Sequence, residues 1–309
     1  MGQIYWSPCM ETLPTLPDES VDLIYIDPPF NTGKTQTYTK TKTVLDEEEG
    51  DRVGFQGKRY RTVKLGTRSF ADSFDDFLSF IEGPLVEAHR ILKPTGSLFF
   101  HIDYREVHYC KVLLDQIFGR DNFKNEIIWA YDFGGRSKKR WSSKHDNILW
   151  YVKDPKHYTF NFDEMERIPY MAPGLVGPEK AARGKTPTDC WWHTIVPTSG
   201  KERTGYPTQK PLGILRRILS VHTNPGDLVL DFFAGSGTTG EAAARLERDF
   251  ILIDQSPTSM RVILDRLAFT NPECANFSPN ELPPEEPTKK TKKKTTKKKK
   301  TTTKKKTKK

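Results

Sequence analysis

The chain has 309 residues, enough to bury a sizeable core in one large domain or two smaller ones. It contains no run of 18 or more apolar residues and no basic segment leading into an apolar one, which predicts neither a membrane span nor a signal peptide. The net charge of +9 comes from residues 288–309, which contain only Thr and Lys, with 14 lysines. Without these 14 lysines, 35 of the 49 Lys and Arg residues remain against 40 Asp and Glu. The rest of the chain therefore has a net charge of about −5.

The cysteines carry no sign of a metal or disulfide site. Cys9, Cys110, Cys190 and Cys274 lie far apart, and no pair has the spacing of zinc ligands or of a CxxC motif. The sequence therefore predicts no metal. Scattered reduced cysteines of this kind indicate the cytosol.

The first strong strand signal is the apolar run Val21–Ile26, which leads into Asp27-Pro28-Pro29-Phe30. Two consecutive prolines donate no backbone hydrogen bonds and hold φ near about −65°, so the sheet ladder must stop at Asp27. The loop offers a carboxylate, outward carbonyls and a flat apolar ring, which suit the exocyclic amino group of an aromatic base. A strand-ending turn stiffened by proline is the alternative, and the motif by itself leaves both interpretations open.

A long polar segment follows, at about residues 31–66. It is rich in Thr, Lys and Arg and shows no clear periodicity, which predicts disorder or a functional flap. Strand patterns at 97–102, 127–129 and 148–152 then alternate with helical ones. This alternation favours an α/β layered fold with a largely parallel sheet.

A basic loop with an aromatic residue at its end separates two of these strands. It contains Arg136, Lys138, Lys139, Arg140 and Trp141. Such a loop suits phosphates and an unstacked base, although a solvated surface turn explains it as well. The stretch 155–206, rich in proline, glycine and aromatic residues, has the character of an insertion rather than of sheet scaffold.

A glycine-rich turn follows the late strand pattern at 228–232. Gly235, Gly237 and Gly240 match G-x-G-x-x-G between a strand and a helix, and Asp254 ends the next strand. The glycines permit a tight turn and close backbone approach, and Asp254 is placed to accept hydrogen bonds from ribose hydroxyls. The pattern predicts a nucleoside-containing cofactor. Nicotinamide dinucleotides and S-adenosylmethionine both fit, and a packed turn without a ligand is the structural alternative.

The proline loop favours S-adenosylmethionine over nicotinamide. A dehydrogenase has no need of a rigid Asp-Pro-Pro-Phe loop, whereas a methyltransferase acting on a base amino group needs both sites in one crevice. At the carboxyl ends of adjacent central strands the two loops would meet, because open α/β sheets bind ligands there.

These motifs, in this order, resemble the β-class bacterial DNA amino-methyltransferases. In that class the catalytic motif precedes the target-recognition region and the cofactor motif comes last. The resemblance covers about residues 2–270, with Phe232 where proline is common and Phe30 in place of the more usual tyrosine. It assigns the catalytic role to Asp27, Pro28, Pro29 and Phe30. It assigns cofactor contacts to Asp231, Phe233, Ala234, Gly235, Ser236, Gly237, Thr238 and Asp254, and to the upstream signature Thr208, Gln209, Lys210 and Pro211.

The resemblance implies a circularly permuted Rossmann-like methyltransferase fold with a mostly parallel seven-stranded sheet, which the chain enters in the middle. The catalytic half would span 1–130, a target-recognition region 131–206, and the cofactor half 207–275. Residues 276–309 would form a disordered tail, for which we predict non-specific binding to DNA phosphates beside the alternative of a solubilising extension.

The implied activity is methyl transfer from S-adenosylmethionine to adenine N6 in a flipped-out base of double-stranded DNA. Cytosine N4 is the alternative target, and a nucleoid-binding protein with an inactive core is a more remote one. Family members often form homodimers, and a cognate restriction endonuclease is a further partner that the sequence leaves open. A cysteine nucleophile at Cys9 is not expected, since Cys9 precedes the proline loop, and we predict a buried structural role for it.

Overall fold

The computed structural model describes residues 1–31, 76–197 and 199–284, and between them the backbone of three strands within 34–72. The strands are β1 (Gly2–Trp6), β2 (Val21–Ile26), β3 (Lys34–Leu45), β4 (Arg52–Val53), β5 (Arg59–Asp72), β6 (Leu92–Ile102), β7 (Phe123–Ala130), β8 (His145–Val152), β9 (Cys190–Trp192), β10 (Leu228–Asp231), β11 (Asp249–Asp254) and β12 (Glu273–Cys274). The helices are α1 (Cys9–Thr12), α2 (Phe77–Ile91), α3 (Val107–Phe118), α4 (Pro178–Arg183), α5 (Leu212–His222), α6 (Thr238–Arg245) and α7 (Pro257–Leu267). None of these helices is long and apolar enough to cross a membrane.

One mixed sheet organises the larger part of the chain. Its nine strands run in the order β12-β1-β11-β10-β2-β6-β8-β7-β9. Neighbours from β12 to β6 are parallel, β8 is antiparallel to both β6 and β7, and β9 is parallel to β7. The expected count of seven strands was wrong because the short edge strands β9 and β12 add to seven longer ones. The chain also enters one strand from an edge, not in the middle of the sheet.

The sheet is buried on both faces, which makes a three-layer α/β/α fold. Along β2, Ile24 and Ile26 belong to one core cluster, while Leu23 and Tyr25 belong to the other. Successive side chains of a strand point to opposite faces, so an almost wholly apolar strand needs cover on both. Buried residues of α2 and α3 complete the first cluster, and those of α5, α6 and α7 complete the second.

The segment predicted to be disordered or a functional flap contains strands. Its strands form a three-stranded sheet in the order β3-β5-β4, with β4 antiparallel to β5. In β3, threonine recurs at every second position from 35 to 43, a period-2 pattern of a β-branched residue that a search for apolar periodicity misses. Residues 39–67 belong to a second compact unit, separate from the unit that contains 1–38 and 68–284. The predicted tail at 285–309 lies outside the described residues.

Candidate active site

The two predicted loops meet at one edge of the sheet. Strands β2 and β10 pair in parallel, with Leu230 opposite Ile24, so both end at the same side, here called the carboxyl edge. Asp27 follows the last residue of β2, and Asp231 is the last residue of β10. A cavity of about 430 Å³ opens between the loops that follow. The expected shared crevice is therefore present.

Most of the predicted catalytic and cofactor residues line this cavity. They are Asp27, Pro28, Pro29, Phe30, Thr208, Lys210, Asp231, Phe233, Ala234, Gly235, Ser236, Thr238 and Asp254. The cavity is not lined by Gly237, Gln209 or Pro211. These three residues shape the turns beside it. The described residues contain no group of three or more His, Cys, Asp or Glu placed to hold a metal ion.

The two carboxylate oxygens of Asp27 lie in different surroundings. Oδ2 accepts a hydrogen bond from Nζ of Lys210. Oδ1 is sealed from solvent, has no hydrogen-bond donor among the described residues, and lies 4.0 Å from Nδ1 of His101. The ring of Phe30 packs beside them, with its centroid 5.7 Å from that of His101 and 4.7 Å from Nζ of Lys210.

A buried polar chain continues behind Asp27. The hydroxyl of Tyr25 lies 2.7 Å from Nδ1 of His101, and Nε2 of His101 lies 3.4 Å from Oδ2 of Asp146. The hydroxyl of Tyr131 donates to the other oxygen of Asp146 at 3.0 Å. Although burial opposes ionisation, the hydrogen bonds from His101 and Tyr131 and nearby positive charge leave the pKa of Asp146 below its usual value.

Sequence reasoning missed this polar chain, although one signal was available. His101 stands at the end of β6, and β6 pairs with β2 so that Phe100 lies opposite Ile26. The rule that placed Asp27 at the carboxyl edge therefore also places His101 there. Asp146 and Tyr131 come from β8 and the end of β7, and their approach depends on the antiparallel register of those strands.

The glycine turn has the geometry that its sequence predicted. Gly235 and Gly237 have φ of +51° and +71°, in the left-handed region that side chains rarely adopt. Gly240 lies within α6, where an added Cβ would stand 2.7 Å from Cδ1 of Leu252. This third glycine therefore allows α6 to pack closely on β11.

Asp254 is joined to the glycine turn directly. Its Oδ2 accepts from the backbone N–H of Gly235 at 2.9 Å, and its Oδ1 accepts from that of Ser256 at 2.8 Å. Burial raises the pKa of Asp254 despite these bonds. The carboxylate thus holds the turn in place and still lines the cavity.

Asp231 is enclosed more completely than Asp254. Its oxygens accept from the backbone N–H of Phe233 at 3.0 Å and from the hydroxyl of Thr239 at 2.6 Å. Burial, reinforced by the charges of Asp27 and Asp254, raises its pKa from 3.8 to about 7. Its described hydrogen bonds organise the turn from β10 into α6.

The upstream signature connects both halves of the site. Gln209 folds its own turn, accepting from the backbone N–H of Thr204 at 2.9 Å and donating to the carbonyl of Glu202 at 2.7 Å. Pro211 stands immediately before α5. The carbonyl of Lys210 accepts from the hydroxyl of Thr238 at 3.2 Å, so this segment is tied to the start of α6 while its ammonium reaches Asp27.

Tyr206 is a cavity residue that sequence reasoning missed. Its hydroxyl lies 3.0 Å from that of Ser259 in α7, and its ring faces Gly235, where an added Cβ would lie 3.3 Å from Cε1. No short motif marks a single aromatic residue of this kind. Its position follows from the packing of the signature loop against α7.

Cys9 is partly rather than fully buried, since it packs against the core and also borders the cavity. It is half-buried and lines the cavity at the start of α1. Burial nevertheless raises its pKa to about 11, which keeps the thiol protonated near neutral pH. A protonated thiol is a poor nucleophile.

The predicted basic loop joins β7 to β8 and stands at the carboxyl edge, since Ile102 at the end of β6 pairs with Asn147 near the start of β8. Lys138 and Lys139 are exposed, and Trp141 is 97% exposed. Arg136 pairs with Asp132 at 2.8 Å, and Arg140 lies 5.9 Å from the ring centroid of Tyr104. The loop borders the site without lining the cavity.

The chain has relatives along most of its length. The family described as DNA methylase, N6_N4_Mtase, matches residues 21–265. The DNA adenine methyltransferase YhdJ of Escherichia coli (strain K12) is 33% identical over 263 residues, or 82% of this chain and 79% of that protein. The type II methyltransferase M.HpaI of Haemophilus parainfluenzae is 31% identical over 261 residues, or 84% of this chain and 72% of that protein.

Solved structures share the fold. The crystal structure of an M1.HpyAVI–SAM complex has a TM-score of 0.56 at 24% identity and covers 86% of this chain and 99% of its own. The cytosine-N4-specific PvuII DNA methyltransferase has a TM-score of 0.58 at 17% identity and covers 91% of this chain and 89% of its own. At these identities the likeness concerns the fold alone.

Proposed function

Because the chain belongs to the N6_N4_Mtase family of DNA methylases, we propose that it methylates the exocyclic N6 amino group of adenine in double-stranded DNA, with S-adenosylmethionine as the methyl donor. One observation carries this proposal: the Asp27 loop and the glycine turn share a single cavity at the carboxyl edge. A base clamp and a cofactor site must be this close for direct transfer of a methyl group.

The charges of the cavity suit this cofactor. Asp27, Asp231 and Asp254 line it, and Lys210 is the one cation among the described residues that do so. Carboxyl groups outnumber cations here even though burial keeps Asp231 partly protonated, so the site disfavours the pyrophosphate of a nicotinamide dinucleotide and favours a sulfonium cation. Asp254 would bind the ribose hydroxyls, and the turn at Gly235 would let the nucleoside approach the backbone closely.

The clamp residues would prepare the target nitrogen for attack. The base must first leave the duplex, because its amino group is paired inside the stack. Asp27 and the carbonyl of Pro28 would then accept its two N–H bonds, and Phe30 would stack on the ring. These bonds shift the nitrogen lone pair away from the ring and stabilise the positive charge that develops on it. Bound S-adenosylmethionine supplies the electrophilic methyl group, and no covalent enzyme intermediate is required.

DNA would lie across the carboxyl edge. We propose that Lys138, Lys139 and Arg140 contact phosphates there and that Trp141 stacks on an unpaired base, which their exposure supports. Residues 131–206 would supply most of the target recognition, with the segment at about 31–66 as a flap. The lysine-rich tail would add non-specific affinity for phosphates.

We further propose that the catalytic half at 1–130 and the cofactor half at 207–275 form a circularly permuted Rossmann-like methyltransferase domain. The late position of β10 in the chain and its central position in the sheet support this arrangement. The protein would form a homodimer and would have a cognate restriction endonuclease as a partner. It would act in the bacterial cytoplasm, in association with the nucleoid.

Cytosine N4 is the second candidate target, because the family that matches the chain is itself named for both N6 and N4. Mass analysis of nucleosides from DNA of an expressing host separates the two. N6-methyldeoxyadenosine is the expected product, and N4-methyldeoxycytidine in its place would contradict the adenine proposal.

The Asp27→Ala variant tests the proposed role of the clamp. It should bind the cofactor normally and transfer methyl groups at least about 10²-fold more slowly, because a preorganised group of this kind typically contributes 10²–10³ in rate. The control is Asp121→Ala, which removes an exposed carboxylate that does not line the cavity. Near-normal turnover by Asp27→Ala would contradict the assignment of the clamp.

A further inference from the structure

The proposed base clamp is already occupied by a side chain of the protein itself. Nζ of Lys210 donates to Oδ2 of Asp27 and lies 4.7 Å from the ring centroid of Phe30. These are the two partners that the clamp would offer to a target base, an acceptor for its amino group and a flat ring for its face. Lys210 is only 9% exposed, so its ammonium fills this position rather than extending into solvent.

The occupied oxygen is the one that an entering base would need. Oδ1 of Asp27 is sealed from solvent on the side of His101. The side chain as a whole keeps 17% exposure, so a group that enters from the cavity meets Oδ2 first. The ammonium and the target amino group therefore compete for the same acceptor.

Apart from this carboxylate, the ammonium has only a weak hydrogen-bond partner. Its other hydrogen bond runs to the carbonyl of Thr208 at a long 3.4 Å. The backbone of Lys210 is anchored separately, through its carbonyl and the hydroxyl of Thr238. The flexible side chain can thus leave Oδ2 while the loop that carries it stays in place, and the adjoining cavity of about 430 Å³ provides the space.

Displacement is also what the chemistry requires. Methyl transfer places positive charge on the target nitrogen, and an ammonium that remained on Oδ2 would oppose that charge in a partly buried site. With the ammonium gone, the whole charge of Asp27 is available to the reacting nitrogen. Before the base arrives, the same ammonium compensates a carboxylate that would otherwise be buried without a partner.

We propose that the ammonium of Lys210 is a stand-in for the target amino group. It holds Asp27 and Phe30 in position in the free enzyme, and an N–H of the flipped-out base replaces it on Oδ2. The inference rests on the proposed function of the clamp. It makes Lys210 a positioning residue that sets the affinity of the clamp for the base, in addition to any contact with the cofactor.

The test measures the dissociation constant of 9-methyladenine, a free base that needs no recognition sequence, by ligand-observed NMR. Lys210→Met removes the competitor and should tighten binding about tenfold relative to wild type, which corresponds to about 1.4 kcal/mol. Lys210→Arg should weaken binding about tenfold, since a guanidinium pairs with a carboxylate through two parallel hydrogen bonds and is harder to displace. A lysine that served only as a structural counter-ion would give the opposite order.

The chain offers a matched control in Lys111. Its ammonium also pairs with a carboxylate, that of Asp115 at 2.7 Å, and lies 4.1 Å from the ring centroid of Phe123, but outside the cavity. Lys111→Met should bind 9-methyladenine as the wild type does. If Lys210→Met fails to fold, Lys210→Gln, which keeps a neutral donor, should still bind the base more tightly than the wild type.

Two further variants, Asp27→Ala and Phe30→Ala, test the clamp as a base site separately from the stand-in role of Lys210. Both should lose 9-methyladenine binding if the clamp is the base site. If they do so while Lys210→Met binds no more tightly than wild type, the stand-in role is overturned and the clamp survives. If they bind the base as the wild type does, the clamp itself is overturned, and the stand-in role with it.

Discussion

Nδ1 of His101 lies 2.7 Å from the hydroxyl oxygen of Tyr25, and both side chains are buried next to Asp27. Burial and the neighbouring carboxylates raise the pKa of Tyr25 well above its usual value, so its hydroxyl keeps its proton beside Nδ1 of His101. At the other end of the ring, Nε2 of His101 faces the carboxylate of Asp146, which is ionised and can only accept a hydrogen bond. The ring that packs against Phe30 is oriented from both ends.

Tyr25→Phe should loosen this orientation while leaving the glycine turn and Asp254 unchanged. It leaves the buried Nδ1 of His101 without its hydrogen-bond partner, which typically costs about 1–3 kcal/mol of folding stability. We expect the rate of methyl transfer to fall about tenfold, with unchanged affinity for the cofactor by calorimetry. Tyr109→Phe, at a tyrosine that is 63% exposed on α3, is the control. An unchanged rate in Tyr25→Phe would show that the position of Asp27 does not depend on His101.

Cys9→Ser should remain active. Cys9 lines the cavity, yet its pKa of about 11 keeps the thiol protonated, and the proposed reaction uses no covalent intermediate. A tritium-transfer assay on unmethylated genomic DNA should give a rate within about twofold of wild type. Loss of activity with normal cofactor binding would instead point to a thiolate mechanism.

Asp231 should make the folded protein less stable as the pH rises. Between about pH 4 and pH 7 the folded carboxyl keeps a proton that the unfolded chain has lost, since its pKa is about 7 in the fold and 3.8 otherwise. The free energy of unfolding therefore falls across that window and levels off above it. Asp231→Asn should remove this contribution, on the order of 2–4 kcal/mol.

Urea titrations from pH 5 to pH 8 test this expectation. The stability difference between wild type and Asp231→Asn should shift in favour of the variant as the pH rises. Asp132→Asn, which alters an exposed carboxylate, should follow the wild-type curve. If the free energy of unfolding of Asp231→Asn fell relative to that of the wild type as the pH rose, the raised pKa of Asp231 would be contradicted.

Gly240→Ala should separate α6 from β11. The added methyl group would stand 2.7 Å from Cδ1 of Leu252 and 3.1 Å from Cδ1 of Leu267. Overpacking of this kind costs about 1–3 kcal/mol, and the better helix propensity of alanine offsets up to about 1 kcal/mol. We expect a net loss of thermal stability together with weaker cofactor binding. Gly174→Ala, where no atom lies within 4 Å of the added carbon, should change neither.

Lys138→Ala combined with Lys139→Ala should weaken DNA binding uniformly across sequences. If each lysine neutralises one phosphate, the slope of log affinity against log salt should become shallower by about 1.8. Lys156→Ala, at an exposed lysine beyond the opposite end of β8, is the control. An unchanged slope in the double variant would remove the basic loop from the DNA interface.

Much of the site could be predicted from local chain chemistry. The paired prolines end β2 immediately before Asp27, and the glycine turn leads into α6, because both features depend on backbone torsion angles within a few residues. The meeting of the two loops also followed, since parallel strands end at the same edge. The strands of the 31–66 segment were missed because the residue that alternates along β3 is threonine rather than an apolar residue.

What the sequence determines by itself is therefore the type of each loop and the edge at which it lies. Only the tertiary structure decided that Lys210, 183 residues from Asp27, carries the ammonium that fills the clamp. The same is true of Tyr25, His101 and Asp146, which come from three strands. The physical reason is that such partners are chosen by strand register and by burial, which collect side chains from distant parts of the chain around a carboxylate that cannot stay uncompensated.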